Sequence, residues 1–212
     1  MIKDNLPNDI AVFPLSNAVF FPRTILPLNI FEARYIQLVN DCMKSQRLFG
    51  MVQPKIRSGN KPKVYKIGCL GKIVNFKETI DKRFIITLSG IIRFKIEKEL
   101  DSNKLYRIFN VNYSDFLTDL EEKNSEIISY DKNILLKKIK KFFEKENYSV
   151  KFNELQKLSF DQLINTTCMI SPFSVQEKQK LIETIDIKDK LTLLEEIINF
   201  NLADLQQHKT IQ

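Results

Sequence analysis

The residues able to do chemistry in this chain are few and poorly spaced for it. Cys42, Cys69 and Cys168 are far apart with no C-x-x-C pair, and the one histidine, His208, lies in the C-terminal tail. A structural zinc site needs about four Cys or His ligands at short spacing, so no metal site is expected. A Ser-His-Asp triad needs a histidine held by the fold, and no G-x-S-x-G elbow is present. A phosphate-binding loop needs G-x-x-x-x-G-K-S/T; the nearest stretch, GCLGK at 68–72, has the wrong spacing and sits in an apolar run that reads as a strand. Glu195 and Glu196 are adjacent on a predicted helix and point apart, which fits a solvated face rather than an acid–base pair. These observations predict no catalytic residue, no metal and no cofactor. Cys42 and Cys168 fall on apolar stripes and read as buried small hydrophobes.

The elements that would position any site begin with residues 13–44. Pro14, Pro22 and Pro27 lack a backbone donor and fix φ, which suits edge strands and strand starts and excludes helix interior. From Glu32 the spacing changes: Tyr35 or Ile36, Val39, and Cys42 or Met43 recur every three to four residues, an amphipathic helix with Glu32 in its first turn as a capping carboxylate. RLFGMVQ reads as a buried strand, and PKIRSGNKPKVYK as a polar loop. IGCLGKIVNF, KRFIITLSG, IIRFKIEKEL and LYRIFNVNY read as further strands, with a hairpin turn at Thr79, Asp81 and Lys82 and a bulge or bend at Gly90. Six or more strands with one early helix predict a closed or nearly closed small barrel.

From about residue 119 the pattern becomes helical. Leu135, Ile139, Phe142 and Phe143 form one face of a helix over about 131–146, opposite Lys137, Lys138, Lys140 and Lys141. Ser159 with Gln162, and Ser174 with Glu177, fit capping boxes, and Ile185-Asp186 breaks the chain before a last helix, giving four main helices. The net charge of +7 is uneven: residues 1–118 carry 19 Lys/Arg against 10 Asp/Glu, or +9, and residues 119–212 carry 14 against 16, or −2. A basic half is compatible with a polyanion-binding face or with scattered solvated lysines. The opening MIKDNLPNDI has no long apolar core and no stretch approaches about 18 uninterrupted apolar residues, so neither a signal peptide nor a membrane helix is expected, and a cytoplasmic setting is the default.

Several ordered blocks resemble one family. FP-L-x-x-x-V-x-FP followed by LPL-x-IFE-x-RY and a helix is similar to the substrate-binding domain at the N-terminus of Lon proteases, most of all its stand-alone bacterial form without ATPase or peptidase parts. The resemblance continues through RLFGMVQP at 47–54, YKIGCLGKIV at 65–74, LSGIIRFKI and SPFSVQEKQKLIETIDIKDKLTLLEEII at 171–198. It implies an α+β chain: a PUA-like β pseudobarrel with one early helix over 1–118, then an α-helical bundle over 119–212. The Lon peptidase works with a Ser-Lys pair on a separate domain beside an ATPase module, and nothing here resembles either, so the resemblance implies a non-enzymatic module in protein quality control. Its partner would be unfolded or damaged polypeptide, or another protein. The alternatives are an RNA-binding module using the basic β half, and a regulatory adaptor docking on Lon protease. Phe20, Phe21, Pro22 and Arg23, between two strands, are the candidate polypeptide-binding residues. If they bind, alternation along the chain predicts that one of the two phenylalanines is exposed; the structural reading is that these rings fill the barrel end. Arg34 and Tyr35 are expected to be structural, Arg34 bonded to carbonyls or a carboxylate and Tyr35 packed.

Overall fold

The computed structural model describes residues 6–16, 18–55, 63–121 and 130–208, with side chains through 203. It divides into two compact units, Met1–Glu121 and Glu122–Gln212.

The first unit is built on strands β1 (Asp9–Pro14), β2 (Ile25–Ile30), β3 (Leu48–Val52), β4 (Ile67–Glu78), β5 (Phe84–Leu100) and β6 (Arg107–Asn112), with helix α1 (Ala33–Met43) between β2 and β3 and a 3-10 helix at Ser114–Leu120. The strand order is β2-β5-β4-β3-β1-β6, and β5 also pairs with β6. The hydrogen-bonded pairings therefore run in a cycle, β5–β4–β3–β1–β6 and back to β5, while among the described residues β2 pairs with β5 alone. One long strand makes the cycle possible. β5 spans 17 residues, pairing with β4 over Phe84–Lys95 and with β6 over Lys95–Leu100. The two strands expected on either side of Gly90 are thus one strand. Gly90 lies at the irregularity, where Gly71 faces Gly90 and Leu70 faces Ile92, so that Ile91 is the extra residue.

Pro27 lies within β2, which among the described residues pairs on one side only, the kind of edge strand on which a proline is tolerated. The hairpin turn is where the sequence predicts it: Thr79 bonds to Asp81 and to the Arg83 carbonyl, and Lys82 takes the left-handed φ of 61°. The interior combines the inward residues of the strands, among them Ile10, Val12, Leu70, Ile92, Phe94, Phe109 and Val111, with Phe116 of the 3-10 helix. Arg93, buried at 2 % exposure, grips Asp119 at both carboxylate oxygens, 2.8 and 2.9 Å away, and lies over the Phe116 ring. A buried charge is tolerated when it is paired and bonded in this way.

Helix α1 buries Tyr35, Val39 and Cys42, members of the stripe its spacing predicts, together with Leu38. Tyr35 stacks on Phe13 with ring centroids 3.9 Å apart. Glu32 is at the N-cap but makes no capping bond; its carboxylate accepts from Arg34 instead, at 2.8 and 3.0 Å. The capping role expected for Glu32 is therefore replaced by an ion pair, because a two-residue reach to a guanidinium competes with the helix amides.

The second unit contains α2 (Lys132–Lys145), α3 (Phe152–Lys157), α4 (Phe160–Ile170), α5 (Val175–Glu183) and α6 (Ile187–His208). Both capping boxes, Ser159/Gln162 and Ser174/Glu177, are formed with side-chain and backbone bonds in each direction. The addition to the four expected helices is α3, which spans six residues and buries only Leu155, too short to leave a periodic trace. Buried apolar faces come from Leu135, Ile139, Phe142 and Phe143 of α2 and Leu191, Leu194 and Ile198 of α6. Most of the polar loop expected after Pro54 lies outside the described residues; its ends meet in a bridge between Pro54 and Val64.

Candidate functional site

The predicted site residues do not form an exposed surface. Phe20 is 2 % exposed and Phe21 is fully buried, Pro22 is buried, and only Arg23 is partly exposed. The expectation that one phenylalanine is available is not met, and the cause lies in distant glycines. A Cβ on Gly71 would come within 2.8 Å of the Phe20 ring, and one on Gly90 would collide with the Phe21 carbonyl oxygen. The absence of side chains at these two positions lets residues 20–22 press down onto the sheet. The segment is then fastened: Arg23 N–H donates to the Gly90 carbonyl at 2.9 Å, Gly90 N–H donates to the Thr24 carbonyl at 2.9 Å, and the Thr24 hydroxyl donates to the Phe21 carbonyl at 2.6 Å. Arg23, at φ 59°, sends its guanidinium to the carbonyls of Asp119 and Glu121. Its charge is engaged in holding the end of the 3-10 helix.

A few residues further on, the chain is apolar and exposed. In the antiparallel ladder β2–β5–β4 the outward residues fall in three rows: Ile25, Ser89 and Lys72; Pro27, Thr87 and Asn75; Asn29, Ile85 and Lys77. Their neighbours Ile30, Ile73, Phe84, Ile86 and Leu88 point inward and are buried. Val74 is the extra residue at the second irregularity between β4 and β5, which turns it outward at 55 % exposure. Ile25 is 53 % exposed, Ile85 45 % and Phe31, just beyond β2, 61 %. Ile80 at the tip of the β4–β5 hairpin is fully exposed, and the Arg83 guanidinium lies 5.8 Å from the Phe31 ring centre. Of the six large hydrophobic residues exposed among the described residues of the first unit, Ile25, Phe31, Val74 and Ile85 lie on or beside this face and Ile80 at the hairpin tip that ends it, the sixth being Leu105. Single exposed apolar residues are ordinary, whereas a cluster on one face marks an interaction site. The sequence reading missed it because both alternating sets of ILPLNI are apolar; that doubling on a proline-bearing edge strand is the signal that could have found it.

Groups with reactive potential are otherwise occupied. Burial pushes the thiols of Cys42 and Cys168 up to about 12, which leaves almost no thiolate at neutral pH. Glu195 accepts from Tyr130 and, at 2.6 Å, from the Lys138 ammonium, so it is a bridge between α2 and α6 rather than the solvated residue expected. That hydrogen bond from Lys138 to the carboxylate raises the lysine's pKa, and burial raises that of Tyr130. Among the described residues no group of three or more His, Cys, Asp or Glu is placed to hold a metal ion, and no helix is long and apolar enough to cross a membrane.

Comparison with known proteins places this architecture. The model of the ATP-dependent protease La (LON) substrate-binding domain matches residues 9–199, and the chain belongs to that family. Among curated relatives, Lon protease of Syntrophus aciditrophicus is 25 % identical over 98 % of this chain and 27 % of its own length. Lon protease of Desulfosudis oleivorans is 26 % identical over 99 % of this chain and 26 % of its own length. The chain thus spans about a quarter of the length of these relatives. Two solved structures share the fold: a Lon N-terminal domain protein from Xanthomonas campestris, with TM-score 0.63 and 18 % identity over 89 % of this chain and 97 % of that one, and the N-terminal domain of a Mycobacterium avium complex Lon protease, with TM-score 0.61 and 14 % identity over 90 % of this chain and 98 % of that one.

Proposed function

We propose that this chain is a non-catalytic module that binds segments of unfolded polypeptide on the outward face of β2, β5 and β4, in the service of protein quality control. The observation that carries the reading is the gathering of Ile25, Phe31, Val74, Ile80 and Ile85 on one sheet surface. Apolar side chains held out by a hydrogen-bonded ladder are pre-organised to receive the apolar side chains that unfolding exposes. Pro27 at the middle of β2 blunts the open edge against addition of a further strand, so contact is made through side chains on the face. Phe20, Phe21, Pro22 and Arg23 act beneath this surface as its support. The cycle of strand pairings supports the finer description of residues 1–118 as a PUA-like pseudobarrel, and the run α2–α6 that of residues 119–212 as a helical subdomain.

The test is a double variant, Ile25→Ser with Ile85→Ser, titrated with a fluorescently labelled, reduced and carboxymethylated model protein. Affinity is expected to fall by about tenfold or more, as loss of two apolar contacts implies. Thermal stability should stay close to that of the parent. Unchanged affinity would remove the face from the binding surface.

A further inference from the structure

We propose that the outward face of β2–β5–β4 is charge-selective, and that it takes extended polypeptide segments carrying two carboxylates about four residues apart with apolar residues between them. This inference rests on the polypeptide-binding reading above and adds to it a substrate class. Its basis is the pair Lys72 and Lys77. Lys72 faces Ser89 and Lys77 faces Ile85 in the β4–β5 register, and both side chains are exposed along the β4 side of the apolar surface. The three outward rows contain these two cations and no Asp or Glu. No carboxylate is paired with either lysine among the described residues. Glu78, opposite Phe84, belongs to the other alternation of β4, and Asp81 in the hairpin turn is held by Arg83 at 2.8 Å. Among the described residues the outward rows therefore carry Ile25 and Pro27 on the β2 side and two cations with no carboxylate on the β4 side, with exposed Glu78 one residue beyond Lys77 and off these rows.

Spacing sets the ligand. From Ser89 to Ile85 is four residues along β5, about 13 Å at the rise of a strand. An extended segment lying parallel or antiparallel to β5 advances by the same rise, so side chains at i, i+2 and i+4 face the sheet together. Carboxylates at i and i+4 meet Lys72 and Lys77, and an apolar residue at i+2 lies over the row of Pro27, Thr87 and Asn75, next to the bulged Val74. A nucleic-acid strand is a poorer match, because its recognition needs stackable aromatic rings among the cations. Phe31 is the aromatic residue exposed here, and Arg83 already lies over it.

The experiment uses the full chain and three synthetic peptides of identical apolar content, bearing Asp, Asn or Lys at positions i and i+4, with binding read by fluorescence anisotropy. The Asp peptide is expected to bind roughly three- to tenfold more tightly than the Asn peptide, as two exposed ion pairs allow, and the Lys peptide most weakly. The Asp advantage should shrink at about 0.5 M salt, and the double variant Lys72→Glu with Lys77→Glu should invert the order of Asp and Lys peptides. A thermal melt of the variant verifies that it is folded. Equal binding of Asp and Asn peptides, with both lost in the Ile25→Ser, Ile85→Ser variant, would overturn charge selection and leave the polypeptide-binding reading standing. Failure of all three peptides to bind would overturn both. Capture of single-stranded oligouridylate that disappears in the Lys72→Glu, Lys77→Glu variant, without peptide binding, would reassign the face to nucleic acid and overturn the proposal.

Discussion

Residues 19–22 and residues 25–31 are neighbours in the chain and similarly apolar, and the fold treats them in opposite ways. Val19, Phe20, Phe21 and Pro22 are all buried, whereas Ile25, Pro27 and Phe31 are exposed. The first stretch is drawn inward by two glycines far away in sequence, Gly71 and Gly90, which leave room for a ring and for a backbone carbonyl. The second enters a ladder with β5, and a ladder has two faces: Leu26, Leu28 and Ile30 go to one and Ile25, Pro27 and Asn29 to the other. Apolar character alone therefore does not separate a buried support from an exposed face. What separates them is the geometry of the partners, one closed by close approach and the other left open by alternation.

The contrast predicts unequal responses to substitution. Phe21→Ala should have the largest effect, about 3–5 kcal/mol of lost stability through a cavity and lost burial, measured by denaturant unfolding. Loss of polypeptide binding in that variant should track the unfolded fraction and vanish under conditions where the variant is folded. Gly90→Ala comes next: the added methyl meets the Phe21 carbonyl oxygen, which the bond from Thr24 and the strand behind it prevent from moving freely. A cost of about 1–3 kcal/mol is expected, and a melting temperature equal to the parent's would show that the turn is less tightly held than its hydrogen bonds indicate. The smallest stability effect belongs to the open face, where Ile85→Ser should cost about 1 kcal/mol or less because the side chain is already 45 % exposed. A large loss of stability there would mean that Ile85 is part of the core and would erase the distinction between the two stretches.

Much of the scaffold was legible because it is encoded locally. The stripe of α1, the face of α2 bearing Phe142 and Phe143, and the capping boxes at Ser159 and Ser174 depend on residues within a turn or two of one another. The hairpin at Thr79–Arg83 is equally local. The surface was less legible for a physical reason. Whether Phe20 and Phe21 are exposed depends on Gly71 and Gly90, about 50 and 70 residues away, and no pattern within residues 20–23 carries that information. The outward turn of Val74 likewise depends on a ladder irregularity against β5. Arg23 appeared available for a ligand because its partners, the carbonyls of Asp119 and Glu121, are backbone groups that no side-chain motif announces.

The most direct test of the account is to map the contact itself by following backbone amide chemical shifts while an unfolded, reduced and carboxymethylated polypeptide is titrated into isotopically labelled protein. The account predicts perturbations concentrated at Ile25–Phe31, at Lys72–Lys77 and at Ile85–Ser89, with residues Phe20–Arg23 little affected. Perturbations centred on another surface, with these three stretches unchanged, would contradict it.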